Sequence, residues 1–177
     1  MSKAVMLSIR PKWCERIVNG DKTIEVRKTR PKMNTPFKCY IYCTLPKYPH
    51  EDFIVTDYPR PQFYGGGKVI GEFTCARIDR LAPANEPYGI YDIDDDYVLQ
   101  TCLENGALWD YGHGTPFYGW HISNLRIYDA PRELSEFERP YECNECDAKW
   151  ATECNACHEE GKIKRPPQSW CYVEEDT

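Results

Sequence analysis

SIRPKWCERIVNGDKTIEVRKTRPK, running from Ser8 to Lys32, is the stretch on which the reading of the chain turns. An extended run ends at Arg10, and Pro11 stands where a helix can begin, because its fixed φ and missing N–H cost nothing in a first turn. Cys14, Ile17 and Val18 recur at three and four residues and form one apolar stripe, with Glu15, Arg16 and Asn19 off it. Gly20 follows the last periodic position, where a left-handed residue ends a helix. Alternation from Thr23 to Lys28 then predicts a strand with Ile24 and Val26 on one face and Thr23, Glu25 and Arg27 on the other. The second face concentrates charge, and Lys22 stands beside it at the start of the strand.

Charge along the chain is unevenly placed. The total is −6, yet residues 1–38 carry ten Lys or Arg against three Asp or Glu, a net of +7 that leaves −13 on the remainder. Lys12, Arg16, Lys22, Arg27, Lys28, Arg30 and Lys32 thus make a basic island on an acidic protein. That distribution suits a face that meets phosphate, and equally a solvated basic edge that balances acidic neighbours. With 177 residues, 41% of them hydrophobic and 14% aromatic, the chain can bury the core of a single domain, 1–177, without staples. It has no amino-terminal apolar segment and no apolar run of about 18 residues, so the expectation is a cytoplasmic protein with no membrane partner.

Working outward, Ala4 to Ile9 reads as a first strand and Phe37 to Leu45 as a central one, rich in aromatic and β-branched residues. Lys47 to Gln62 carries three prolines and reads as a long loop or lid. Lys68 to Asp79 and Ile122 to Tyr128 read as further strands. GGGK before Lys68 lacks the four-residue gap and following hydroxyl of a phosphate loop. Residues 86–110 hold seven carboxylates and no Lys or Arg, without the offsets of a Ca²⁺ loop. They are expected to form solvated helix and loop with Tyr97, Val98, Cys102 and Leu103 inward. His121 reads as a structural histidine. Short strands, one early helix and scattered turns together predict a mainly β fold with peripheral helices, an α+β arrangement built on a partly open barrel.

Ten cysteines in a chain of this kind do not imply disulfides. Cys14, Cys39, Cys43, Cys75, Cys102 and Cys171 are scattered and read as buried or free thiols. The other four form two CxxC hooks, Cys143 with Cys146 and Cys154 with Cys157, separated by seven residues. Two hooks supply four thiolates to a tetrahedral Zn²⁺, a closed structural site with no open position for water. Such a metal would clamp an insert over residues 140–161. Reduced, unmetallated cysteine or redox pairs are the alternative.

The tail restores positive charge up to Arg165, stiffens at Pro166 and Pro167, and ends in a strand from Gln168 to Val173. Trp170 and Tyr172 share one face of it, where they can stack bases or plug a barrel.

The run from Ser8 through NGDKTIEVRK resembles the opening of ASCH domains, small barrels of the PUA-like superfamily. GKVIGEF, YGWHISNLRIYD and RPPQSWCYVEE resemble a longer bacterial and phage-borne branch of that family, here with the CxxC insert. The resemblance implies a PUA-like barrel with a cleft between the first helix and the sheet, accepting RNA or a modified nucleoside. Some small members look like amidohydrolases that deacylate N4-acetylcytidine with a lysine, a threonine and a glutamate. Lys22 matches the lysine and Arg27 the following arginine. The threonine's position is held by Glu25, Thr23 stands two residues earlier, and no downstream glutamate aligns. The first reading is therefore a nucleic-acid-binding module. In it the basic island, with Lys12, Arg27 and Arg165, holds phosphate; Trp13, Trp120, Trp170 or Tyr172 stacks a base; and Glu25 with Gln168 reads its edge. The second is a hydrolase of N4-acylated cytidine, or a ribonuclease, with Lys22, Thr23 and Glu25 as its catalytic groups.

Overall fold

The computed structural model describes residues 3–45, 53–55, 62–84, 91–140 and 161–175. Strand β1, Lys3–Ile9, is buried from Ala4 to Ile9, as its apolar text, interrupted only by Ser8, requires. Its side chains feed two cores by strict alternation: Val5, Leu7 and Ile9 enter one cluster, Ala4 and Met6 the other. Helix α1, Pro11–Val18, starts on the expected proline and packs Cys14 and Ile17 into the first cluster, with Trp13 and Val18 flanking them. Gly20 ends it at φ +79°, a conformation that side-chain-bearing residues resist. Strand β2, Ile24–Arg27, follows directly.

Strand β3, Phe37–Cys43, lies parallel to β1 and is the expected central strand. A short antiparallel hairpin follows, β4 at Phe53–Val55 and β5 at Gln62–Tyr64. The loop anticipated over residues 47–62 is therefore strand at both described segments, and β4 lies beside α1. Strands β6, Lys68–Leu81, and β7, Phe117–Arg132, form a long antiparallel pair. Its backbones pass so closely at Gly71 that a Cβ there would sit 2.4 Å from the Arg126 carbonyl oxygen. Strand β8, Trp170–Glu174, closes the order on the free edge of β1.

The six-stranded sheet runs β2-β7-β6-β3-β1-β8, with β2 and β8 at its edges. These edges approach without a backbone ladder and are bridged by side chains. The Trp170 Nε1–H donates to Thr29 Oγ1 at 2.9 Å, and the Lys32 N–H donates to the Tyr172 hydroxyl at 2.8 Å. The result is a mainly β architecture with peripheral helices, as expected, built on an open six-stranded sheet.

Helices α2, Asp95–Thr101, and α3, Asn105–Gly112, realise the acidic segment. Asp94 caps α2 by accepting from the Tyr97 N–H at 2.7 Å. Val98, Leu103 and Leu108 pack onto Val26 and Phe117 in a third cluster, which fixes the helices over β2. No helix among the described residues is long and apolar enough to cross a membrane.

Candidate functional site

Parallel pairing of β1 and β3 places the start of α1 and Thr44 side by side, since the Thr44 N–H donates to the Ile9 carbonyl at 2.8 Å. Opposite them, the tail crosses β1. The Ser8 hydroxyl donates to the Pro167 carbonyl at 2.6 Å, and the Ser8 N–H donates to the Ser169 carbonyl at 3.0 Å. Between these walls lies a cavity of about 480 Å³, within the size range of small-molecule sites. Arg10, just before α1, and Trp13 within it line one side, Glu25 and Arg27 come from β2, Tyr111 from α3 and Leu103 from the connection between α2 and α3. Lys22, Thr44 and the tail's Pro166, Pro167 and Gln168 complete the lining.

An ionic ladder forms the floor. Lys22 and Glu25 are 3% and 6% exposed. Lys22 Nζ donates to the Thr101 carbonyl at 2.6 Å and the Ile24 carbonyl at 2.8 Å, and lies 3.4 Å from Glu25 Oε2. The other carboxylate oxygen, Oε1, stands 3.1 Å from the Arg27 guanidinium. That guanidinium also donates to the Ser8 carbonyl at 2.8 Å, while its buried Nε–H has no partner among the described residues. Two cations flank one anion, so the ladder keeps a net positive charge beside the cavity. The Trp13 ring lies 5.3 Å from Lys22 Nζ and 4.8 Å from Lys12 Nζ, so cations hold its place on the wall. Burial pushes the Tyr111 hydroxyl above its ordinary titration range, and that hydroxyl donates to the Val26 carbonyl at 3.3 Å.

The cavity gathers Lys22, Glu25, Arg27, Trp13 and Gln168, five of the residues singled out from sequence. Lys12 is exposed at its rim over Trp13, and Arg165 is exposed one residue before Pro166. Thr23 is not part of the lining, because its hydroxyl turns to Gln100 Oε1 at 3.3 Å and its N–H pairs with the Gln100 carbonyl. Trp120 is fully buried, edge-on to Phe37 in the main core, and has no face open to a base. The reason is packing: its ring lies in the main core between Phe37, 5.8 Å away, and Trp170, 6.2 Å away. His121 holds Asp79 at 2.6 Å and Arg77 at 3.0 Å, the structural role expected of it. Trp170 and Tyr172 border a neighbouring groove that shares Pro167 and Gln168 with the cavity.

Part of the basic island is engaged within the protein. Arg16 pairs with Asp21 at 2.9 Å, and Lys28 caps the last turn of α3 by donating to the Tyr111 and Gly112 carbonyls. Cys14, Cys39, Cys43 and Cys75 are buried thiols, as expected, and burial raises the Cys14 and Cys39 thiols well above their usual range. Cys143, Cys146, Cys154 and Cys157 lie outside the described residues, among which no cluster of metal-ligating side chains occurs.

Sequence reasoning missed Arg10, Thr44, Leu103 and Tyr111. Arg10 was legible as the residue before the helix-starting proline. The others reach the cavity through non-local pairing and carry no local signature.

Residues 7–81 match the family model of the ASCH domain. The fold is similar to that of ASCH from Zymomonas mobilis, with a TM-score of 0.58 at 19% identity over 97% of this chain and 88% of that one. Crystal structures of two point mutants of the same protein give TM-scores of 0.58 and 0.57 at 19% and 18% identity. They cover 98% and 97% of this chain and 92% and 89% of theirs. No curated protein matches the chain.

Proposed function

From an ASCH domain at residues 7–81 on an ASCH-like open sheet, we propose a nucleic-acid-binding module that recognises RNA or a modified nucleotide by enclosing one base. The observation that carries this reading is the composition of the cavity: a carboxylate between two cations, beside two aromatic rings and an exposed amide. Trp13 offers the stacking surface, and Arg10, Lys12 and Arg27 offer positive charge to phosphate. Glu25 is acceptor-only when ionised and complements an exocyclic amino group such as cytosine N4–H, with Gln168 reading the same edge from the rim. A panel of short single-stranded RNAs and acylated cytidines, followed for both retention and product, tests it. Retention that weakens as salt rises, without turnover, supports the binder. No retention at any salt concentration refutes it.

One observation favours a second reading as an amidohydrolase. The Lys22–Glu25 pair lines the cavity, so Glu25 can take a proton from an attacking water while Lys22 stabilises the developing oxyanion. In this arrangement water, and not Thr23, attacks the acyl carbon. The products are a carboxylate and the free amine, and turnover vanishes in Lys22→Ala.

We also propose a structural zinc on Cys143, Cys146, Cys154 and Cys157, on the strength of their paired CxxC spacing. Metal quantified after thiol blocking is expected at one zinc per chain. Protein purified under reducing conditions without zinc would overturn this.

A further inference from the structure

The groove beside the cavity has a volume of about 470 Å³ and is lined by Lys3, Arg139, Trp170 and Tyr172, with Pro167 and Gln168 common to both spaces. Gln168 and Trp170 are two residues apart, so no more than about 7 Å of chain separates cavity rim from groove. The two rings are held as a pair, with centroids 5.4 Å apart and planes at 78°. Their polar ends are bonded to Thr29 and Lys32, and both rings, packed on the main core, also line the groove. Lys3 Nζ lies 5.8 Å from the centre of the Tyr172 ring. No Asp or Glu is found among the described lining residues. The concavity under Lys38, Arg126 and Arg132 differs, because Glu72 and Asp129 line it too and offset its charge.

A free nucleoside would fill the cavity alone and would not reach this cationic, aromatic-walled groove that adjoins it. We propose that the ligand is a single-stranded nucleic acid at least two to three nucleotides long. One base enters the cavity, the strand crosses the Pro167–Gln168 ridge, and the next phosphate and base lie on Lys3, Arg139 and the Trp170–Tyr172 pair. This inference rests on the base-binding reading of the cavity and adds the polymeric class of its ligand.

Calorimetric titration with the four ribonucleoside 5′-monophosphates and the four homotrinucleotides provides the test. The best trinucleotide is expected to bind at least about tenfold more tightly than its monophosphate. Lys3→Ala combined with Arg139→Ala removes two exposed cations, and is expected to flatten the trinucleotide's log–log salt dependence by about one unit while leaving the monophosphate unchanged. Trp170→Ala is expected to weaken the trinucleotide roughly 10- to 100-fold. Because Trp170 also packs on the core, unchanged monophosphate affinity serves as the control for an intact cavity. Equal affinity for monomer and trimer, or an equal loss for both in the variants, overturns the proposal while base binding stands. Failure of every monomer and trimer to bind overturns the base-binding reading itself.

Discussion

Replacing Glu25 with Gln probes the ladder at its centre. The side chain keeps its shape and one acceptor, but the Lys22 and Arg27 side chains, 2% and 11% exposed, are left as like charges either side of a neutral amide. Removing one partner of a buried ion pair costs about 3–5 kcal/mol when the other has no compensation. Here Lys22 retains the Ile24 and Thr101 carbonyls, Arg27 retains the Ser8 carbonyl, and the cavity admits water, so a loss of about 2–3 kcal/mol is expected. For a chain of this length that corresponds to a fall of roughly 5–10 °C in Tm. Urea unfolding at pH 7 should show a lower midpoint with an unchanged slope, since neither state changes its exposed area. Lys22→Met in the same background completes a cycle, and a coupling of at least about 1 kcal/mol between the two positions is expected. A Glu25→Gln protein within about 0.5 kcal/mol of the parent would refute the view that this carboxylate neutralises buried cations.

Three further outcomes follow from separate parts of the molecule. Ser8→Ala removes the hydroxyl that anchors the tail at Pro167, and should cost about 1 kcal/mol by chemical denaturation and weaken any cavity ligand. Gly20→Ala forces a side chain into the left-handed region and should lower stability by about 1 kcal/mol, although nothing stands in the way of the added methyl. Tyr97 and Tyr128 have hydroxyls raised above their ordinary range, first by burial, then by the Asp79 and Glu72 carboxylates respectively. A raised folded-state value means that the unfolded chain releases these protons first, so their contribution holds below about pH 10 and is lost as pH climbs beyond it. Stability followed from pH 9 to 11 should fall, and Tyr128→Phe should flatten the slope.

The β1, α1 and β2 run was legible because each element states its period locally. Burial on both faces writes β1 as an apolar run broken only by Ser8, Pro11 and Gly20 bracket the helix, and alternation sets Glu25 and Arg27 against Val26. The ends of β7 were not legible. Its first residues, Phe117 to His121, follow the turn text GHGT and carry no polar alternation, because Phe117 packs in the third cluster, Trp120 in the main core, and Tyr97 lies over Gly119. That concealment also made Trp120 look available. Trp170 and Tyr172 show the limit of alternation: it placed both rings on one face but could not say that the face opens onto a groove next to the cavity. Tyr111 arrives on α3 and Leu103 on the connection from α2, in a segment whose visible pattern is acid, and only their packing with Val26 and Phe117 reveals an apolar side turned to the cleft.

The tail that crosses β1 at Pro167 also sets an order of events during synthesis. Lys22, Glu25 and Arg27 leave the ribosome early, whereas Pro166, Pro167 and Gln168 follow more than a hundred residues later. A nascent chain therefore presents the charged floor with one side missing, and enclosure begins only when the strand at Trp170–Glu174 has docked on β1. A ligand of the cavity present during synthesis thus meets unfinished copies that still lack one wall of the site.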